Sequence, residues 1–256
     1  MPYISGVPTP FYHLSIANDL LFQPGLTTGV QRFLQENLPA FLLGNTAPDV
    51  QTISGQLRRE THFFELPLHK SMLPAWDKML TDYPGLAASS RMHRSQAAFL
   101  AGYLCHLQAD WFWIEQIYEP VFGPGCRWET FERRLYLHNV LRSYLDQRIF
   151  TALPVDTGFD LAKATPIGWL PFTSDYYLMQ WRDFLAHQLH PGSSVKTVEV
   201  FAVRQGIPPD NYYQLLASDG LMDDLIFRRV SRADLGDYRQ RLLQENVILL
   251  QSYLAC

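Results

Sequence analysis

Apolar residues recur along this chain at spacings of three and four, the interval at which side chains stack on one face of a helix. The segment FYHLSIANDLLF (11–22) sets Phe11, Ile16, Leu20 and Leu21 broadly on one side, with Pro10 just ahead of them. TGVQRFLQENLPAFLLG (28–44) continues the helical pattern, which Pro39 breaks and Gly44 stops. NTAPDV (45–50) reads as a loop, because Asn45, Pro48 and Asp49 favour turns. From about Arg91 to Glu119 only Gly102 interrupts an otherwise unbroken run, which predicts one long, mostly buried helix. PVFGPGCR (120–127) then reads as a turn, and residues 128–150 as a further long helix with Phe131, Leu135, Leu141 and Leu145 inward.

The second half repeats the style. Segments 174–190, 193–206, 208–218 and 231–255 each open on Ser or Pro and carry helical periodicity. Only KTVEVFAV (196–203) tempts a strand assignment, and a single strand has nothing to pair with. Residues 151–170, with Pro, Gly and small polar residues, read as a linker. The prediction is an all-α chain folded as a single multi-helix domain over 1–256. Its chemistry-bearing part lies at 10–150, and the helices of 171–256 can form a C-terminal subdomain.

The polar residues that fall inside apolar segments carry the chemistry. In AAFLAGYLCHLQADWFW (97–113), His106 and Asp110 stand four residues apart and so share a helix face. A buried carboxylate is costly unless it is paired or bound to a cation. Two readings fit the pair: a hydrogen bond within the core, or two ligands of a metal such as Zn²⁺. Asp49 beside Pro48, His62 before Phe63 and Phe64, and His13 within the first apolar helix are three further polar residues in such settings. Each has an ordinary structural explanation alone, as a cap or a satisfied core histidine. Together with His106 and Asp110 they form a set of metal-ligand types in the first 110 residues.

Composition narrows the function classes. The 256 residues are 47% apolar and 18% charged, which suits a globular fold. A net charge of −4 gives no signal for nucleic-acid binding. Cys105, Cys126 and Cys256 are too few and too scattered for a disulfide framework, so reduced thiols and a cytoplasmic setting are expected. The first basic residue is Arg32, against a secretory leader, and no apolar run reaches the length of a transmembrane segment. No His is followed directly by Asp, which argues against a helical phosphohydrolase built on adjacent His–Asp.

Four stretches, HLSIAN (13–18), LLGNTAPDV (42–50), THFF (61–64) and AGYLCHLQAD (101–110), resemble the motifs of the zinc-dependent phospholipase C/D family in identity, order and approximate spacing. The resemblance covers residues 10–112. It implies an all-helical fold related to the single-strand-specific zinc nucleases, and a phosphodiesterase acting on a small phosphodiester or a phospholipid. It further implies a zinc site of Asp49, His62, His106 and Asp110, with Asp110 bridging to a second metal held partly by His13. Asp49 and Asp110 would then serve catalysis, Asp49 as ligand and proton acceptor.

The chain departs from the three-zinc pattern of that family at three places. Gln116 stands where a further His is expected, and Arg142 stands four residues after His138 where Glu is expected. Asp146 lies a second helical turn on, and the leading Trp ligand has no counterpart before Trp76. One or two zinc ions are therefore expected rather than three. The alternative is a non-catalytic helical scaffold retaining at most a structural metal.

Other residues take quieter expectations. His138 would reach the ligands from behind and orient one of them. Arg58, Arg59, Arg91 and Arg94 suit phosphate oxygens but are expected on the surface, as are His69, His93, His187 and His190. Cys105 and the aromatics of 111–128 are expected in the core, and Glu115 off the metal face.

Overall fold

In a computed structural model that describes residues 7–255, the chain is built from α-helices joined by turns, loops and short 3-10 or π-helical segments, and no strand occurs among those residues. The first half carries α1 (Pro10–Leu20), α2 (Thr28–Glu36), α3 (Leu38–Gly44), α4 (Gln51–Ser54), α5 (Arg58–His62), α6 (Ala75–Asp82), α7 (Arg94–Trp113) and α8 (Phe131–Phe150). The second half carries α9 (Thr157–Ala162), α10 (Asp175–Gln188), α11 (Thr197–Gln205), α12 (Pro209–Leu216), α13 (Asp219–Met222) and α14 (Arg232–Leu254). Among the described residues no helix is long and apolar enough to cross a membrane.

Helix α7 is the spine. Every residue from Ala97 to Trp113 is buried, so beyond its first turn this helix has no solvent face, and Trp113, Tyr103 and Phe99 are wholly enclosed. Each such side chain contributes about 1.5–3 kcal/mol by leaving water. α3 crosses α7 at two glycines. A Cβ on Gly44 would stand 1.9 Å from the Phe99 carbonyl oxygen, and one on Gly102 would stand 2.4 Å from that of Phe41. The backbones meet there because neither position has a side chain to hold them apart. α14 also packs along α7, and the Tyr238 hydroxyl donates to the Ala109 carbonyl at 3.0 Å.

Helix α1 starts at Thr9, whose hydroxyl oxygen accepts the Tyr12 amide, with Pro10 in the first turn where its missing N–H loses no bond. It packs against α8 and α14. Its burial is nearly all-round, since Phe11 through Ala17 are continuously enclosed, and not confined to the side that Phe11, Ile16 and Leu20 mark.

Several local expectations are corrected. The helix expected from Arg91 starts at Arg94, because Ser89–Arg91 form a 3-10 turn and His93 caps. Pro120 does not begin a turn. The chain runs on from α7 as a wide π-helical segment, Ile114–Phe122, whose i→i+5 pattern accommodates a residue with no N–H to give. Residues 151–170 are not a linker. Leu161, Ala164, Trp169 and Leu170 are buried, the Trp169 ring lies 5.0 Å from that of Phe99, and Gly158 packs against Leu189. The segment 196–203 is helical, with Val198, Phe201 and Ala202 buried at helical spacing. In α8, Leu141 is buried as expected, whereas Phe131, Leu135 and Leu145 are half-buried and the fully enclosed stretch is Leu137–Tyr144.

Candidate metal centre

Four separate segments bring polar side chains to one enclosed place. α1 supplies His13, the 3-10 turn Ala47–Val50 supplies Asp49, α5 supplies His62, and α7 supplies His106 and Asp110. The NTAPDV segment is thus a tight helical turn running into α4, not an open loop. His62 ends α5, and Phe63 then adopts the left-handed conformation (φ 61°), which turns the chain away. Tyr103, on α7, donates from its hydroxyl to the Thr61 carbonyl at 2.6 Å and so ties α5 to the spine.

The five expected residues converge. Exposure is 1% for His13, 6% for Asp49 and 0% for His62, His106 and Asp110. His13 Nε2 lies 3.2 Å from Asp110 Oδ1. His62 Nε2 lies 3.5 Å from Asp49 Oδ1 and 3.4 Å from Asp110 Oδ2, and His106 Nε2 lies 3.6 Å from Asp110 Oδ2. The His13 and His106 rings stack at 3.7 Å. Two donors each about 2.1 Å from a tetrahedral ion stand roughly 3.4 Å apart. The His62–Asp49, His62–Asp110 and His106–Asp110 separations match that edge length.

The hydrogen bonds around the rings decide which nitrogen is free. His106 Nδ1 lies 2.8 Å from the Asn45 carbonyl, which can only accept, so Nδ1 carries a proton and Nε2 is the nitrogen left to serve as a ligand. Thr61 Oγ1 is 2.9 Å from His62 Nδ1 and donates to the Arg58 carbonyl, which leaves it to accept the Nδ1 proton of His62. His13 Nε2, His62 Nε2, His106 Nε2 and Asp110 Oδ1 are buried with no hydrogen-bond partner. Buried polar atoms are rarely left so. Aimed at one another, these are the atoms a cation would satisfy, and His13–His106–Asp110 and Asp49–His62–His106 each form a group compact enough to hold one.

Electrostatics favours the ligand forms of most of these groups. Burial, and then the Arg58 charge, push the His62 pKa down to about 4 against the pull of Asp49 and Asp110. Burial and the His106 charge lower that of His13. For His106 burial acts the same way, but the charges of Asp110 and Asp49 outweigh it and the pKa is raised. Burial would raise both acids. The nearby imidazoles of His62 and His106 hold Asp49 low, and His106, His13 and Arg58 hold Asp110 well below the ordinary range.

One residue of the centre was expected at the surface. Arg58 reaches inward, with Nη2 2.5 Å from Asp110 Oδ2 and Nη1 3.9 Å from Asp49 Oδ1, and its side chain is 16% exposed. The sequence does carry a signal for it, because Arg58 and His62 are four apart on one helix and so share a face. Arg59, Arg91 and Arg94 are exposed as expected, as are His69, His93 and His187, with His190 half-buried; Cys105 is enclosed and Glu115 exposed.

His138 does not join the five. Its Nε2 accepts the Trp113 indole N–H at 3.2 Å, and its ring packs on Trp113, Tyr118 and Phe122. Arg142, four residues on, donates to the Val7 carbonyl and to Asn139, and Asp146 accepts from the Thr9 and Thr197 hydroxyls. A cavity of about 290 Å³ opens beside Asp49, walled by Phe11, Ile53, Trp181, Phe184 and Phe201, with Arg142 inside.

Residues 12–116 match the model for zinc dependent phospholipase C, and all five converging residues lie within the matched segment. Comparison with curated proteins and with solved structures finds no match.

Proposed function

We propose that this chain, whose residues 12–116 match the model for zinc dependent phospholipase C, is a zinc-dependent phosphodiesterase that hydrolyses a small phosphodiester or a phospholipid. The observation that carries the reading is the meeting of unpartnered Nε2 atoms of three histidines with two ionised carboxylates in one buried place. His and carboxylate donors in that number suit zinc and leave positions open, as hydrolytic sites do and closed Cys sites do not. Asp49, His62, His106 and Asp110 would hold the ion, with His13 beside Asp110. Bound there, zinc supplies Lewis-acid activation of water and neutralises charge on a phosphoester oxygen.

The chain's own residues do the rest. Asn45 and Thr61 fix the two ring tautomers, which keeps Nε2 of His106 and His62 available. Asp49 is the one member of the five that also lines the cavity, which supports a role for its carboxylate in accepting a proton from attacking water. The apolar walls receive the hydrophobic part of the ester and keep bulk water out.

A panel of phosphodiesters and phosphomonoesters with added Zn²⁺, run on the native chain and on Asp49→Asn, tests the reading. Zinc-dependent hydrolysis of a diester, lost with chelator and lowered at least about a hundredfold by the substitution, is expected. Zinc retention with no turnover on any ester would favour the scaffold alternative. No zinc retention at all would end the phosphodiesterase reading and leave the scaffold without a metal.

A further inference from the structure

We propose that Arg58 is a built-in cation of this centre, supplying the positive charge that a second metal ion would otherwise bring, so that the chain works with one divalent ion and one guanidinium. The inference rests on the zinc-dependent reading above and goes past it, to the number of ions and the charge of the substrate.

Three observations carry it. First, the two candidate metal groups share His106, and only one of its nitrogens is available because Nδ1 is committed to the Asn45 carbonyl. An ion at Asp49–His62–His106 therefore takes the shared nitrogen and leaves a second ion only His13 and Asp110 Oδ1, 3.2 Å apart. Two donors make a poor zinc site.

Second, the positive charge such an ion would bring is already present. Arg58 lies against Asp110 Oδ2, turns its other nitrogen toward Asp49, and rests over the Phe64 ring with 5.5 Å to the centroid. A guanidinium stays charged at any ordinary pH, and its planar fork matches both carboxylate and phosphate oxygens.

Third, the charge count favours one ion. Two carboxylates, one guanidinium and one dication leave a single positive charge, which one phosphodiester monoanion cancels. A second dication would leave three positive charges among ligands that are at most 6% exposed. Uncompensated buried charge of that size is strongly unfavourable. Arg58 is thereby a positioning residue for the phosphoryl group as well as a counter-charge for Asp110. The centre prefers a singly charged diester to a doubly charged monoester.

Metal stoichiometry is the test, read by elemental analysis after dialysis and by zinc titration against a chromophoric chelator, with helical circular dichroism as the folding control. The native chain is expected to hold one zinc. Arg58→Lys, which keeps the charge, also holds one. Arg58→Gln, which removes it, gains a second equivalent bound at least roughly a hundredfold tighter than any second equivalent on the native chain. Two tight zincs on the native chain would overturn the inference while leaving the zinc-dependent reading intact. So would Arg58→Gln remaining at one, whether or not that one binds more tightly, since Arg58 would then be only a plug. Faster turnover of monoesters than of diesters by the native chain would also overturn it, and no zinc on any variant ends both proposals.

Discussion

Replacing Asp110 by Asn preserves the side chain's shape and removes its charge, and the structure sets the consequence. The carboxylate is 0% exposed and faces Arg58 at 2.5 Å, His13 at 3.2 Å, His62 at 3.4 Å and His106 at 3.6 Å. Removing one partner of a buried charge pair destabilises by about 3–5 kcal/mol, because the other charge is left uncompensated. Arg58 keeps 16% of its surface exposed and recovers some hydration, which places the loss near the lower end, about 3 kcal/mol. In a chain of 256 residues that loss lowers Tm by roughly 6–12 °C.

A second effect follows from the same carboxylate. Zinc at ~1,000 times its Kd stabilises a native site by about 4 kcal/mol, and a chain without Asp110's charge forfeits most of that. The assay is differential scanning calorimetry on chelator-treated, dialysed protein, repeated with zinc. The native chain is expected to show a zinc-induced rise in Tm, and Asp110→Asn to start lower and stay there. An Asp110→Asn chain that melts within about 2 °C of native without metal, and still rises with zinc, would refute the assignment of Asp110 to the centre.

Two further outcomes test the surroundings. Burial raises the Asp146 pKa from 3.8 to about 7, so its contribution to stability is fully present below pH 3.8 and is lost as the pH rises through about 7. Asp146→Asn is therefore expected to match native in acid and to gain up to about 4 kcal/mol on it above pH 7, measured by urea unfolding across pH; no pH-dependent gap would contradict it. Gly102→Ala drives a Cβ to 2.4 Å from the Phe41 carbonyl and 2.9 Å from the Asn45 amide nitrogen, both backbone, and so shifts the carbonyl that orients His106. It is expected to lose about 3 kcal/mol or more and to weaken zinc binding, while Gly29→Ala, with nothing within 4 Å of its Cβ, changes stability by less than about 1 kcal/mol.

The amino-acid sequence by itself determined the helical class, the spine helix and the ligand types in order, for a local reason. Helical periodicity is written in neighbours three and four apart, and a His or Asp set among Leu, Phe and Trp is visible without knowing what it meets. The spacing of His106 and Asp110 already put both on one face. Only the tertiary structure decided that His13, Asp49 and His62, carried by three other segments, point at that face and that His138 instead turns into the aromatic cluster around Trp113. It also decided that Arg58 folds inward, that the chain passes Pro120 as a wide helix, and that residues 151–170 pack into the core. These outcomes depend on the close crossing of α3 and α7 at Gly44 and Gly102 and on bonds such as Tyr103 to Thr61, contacts between residues far apart in the chain. Local pattern says which groups a helix buries; packing between helices says what they are buried against.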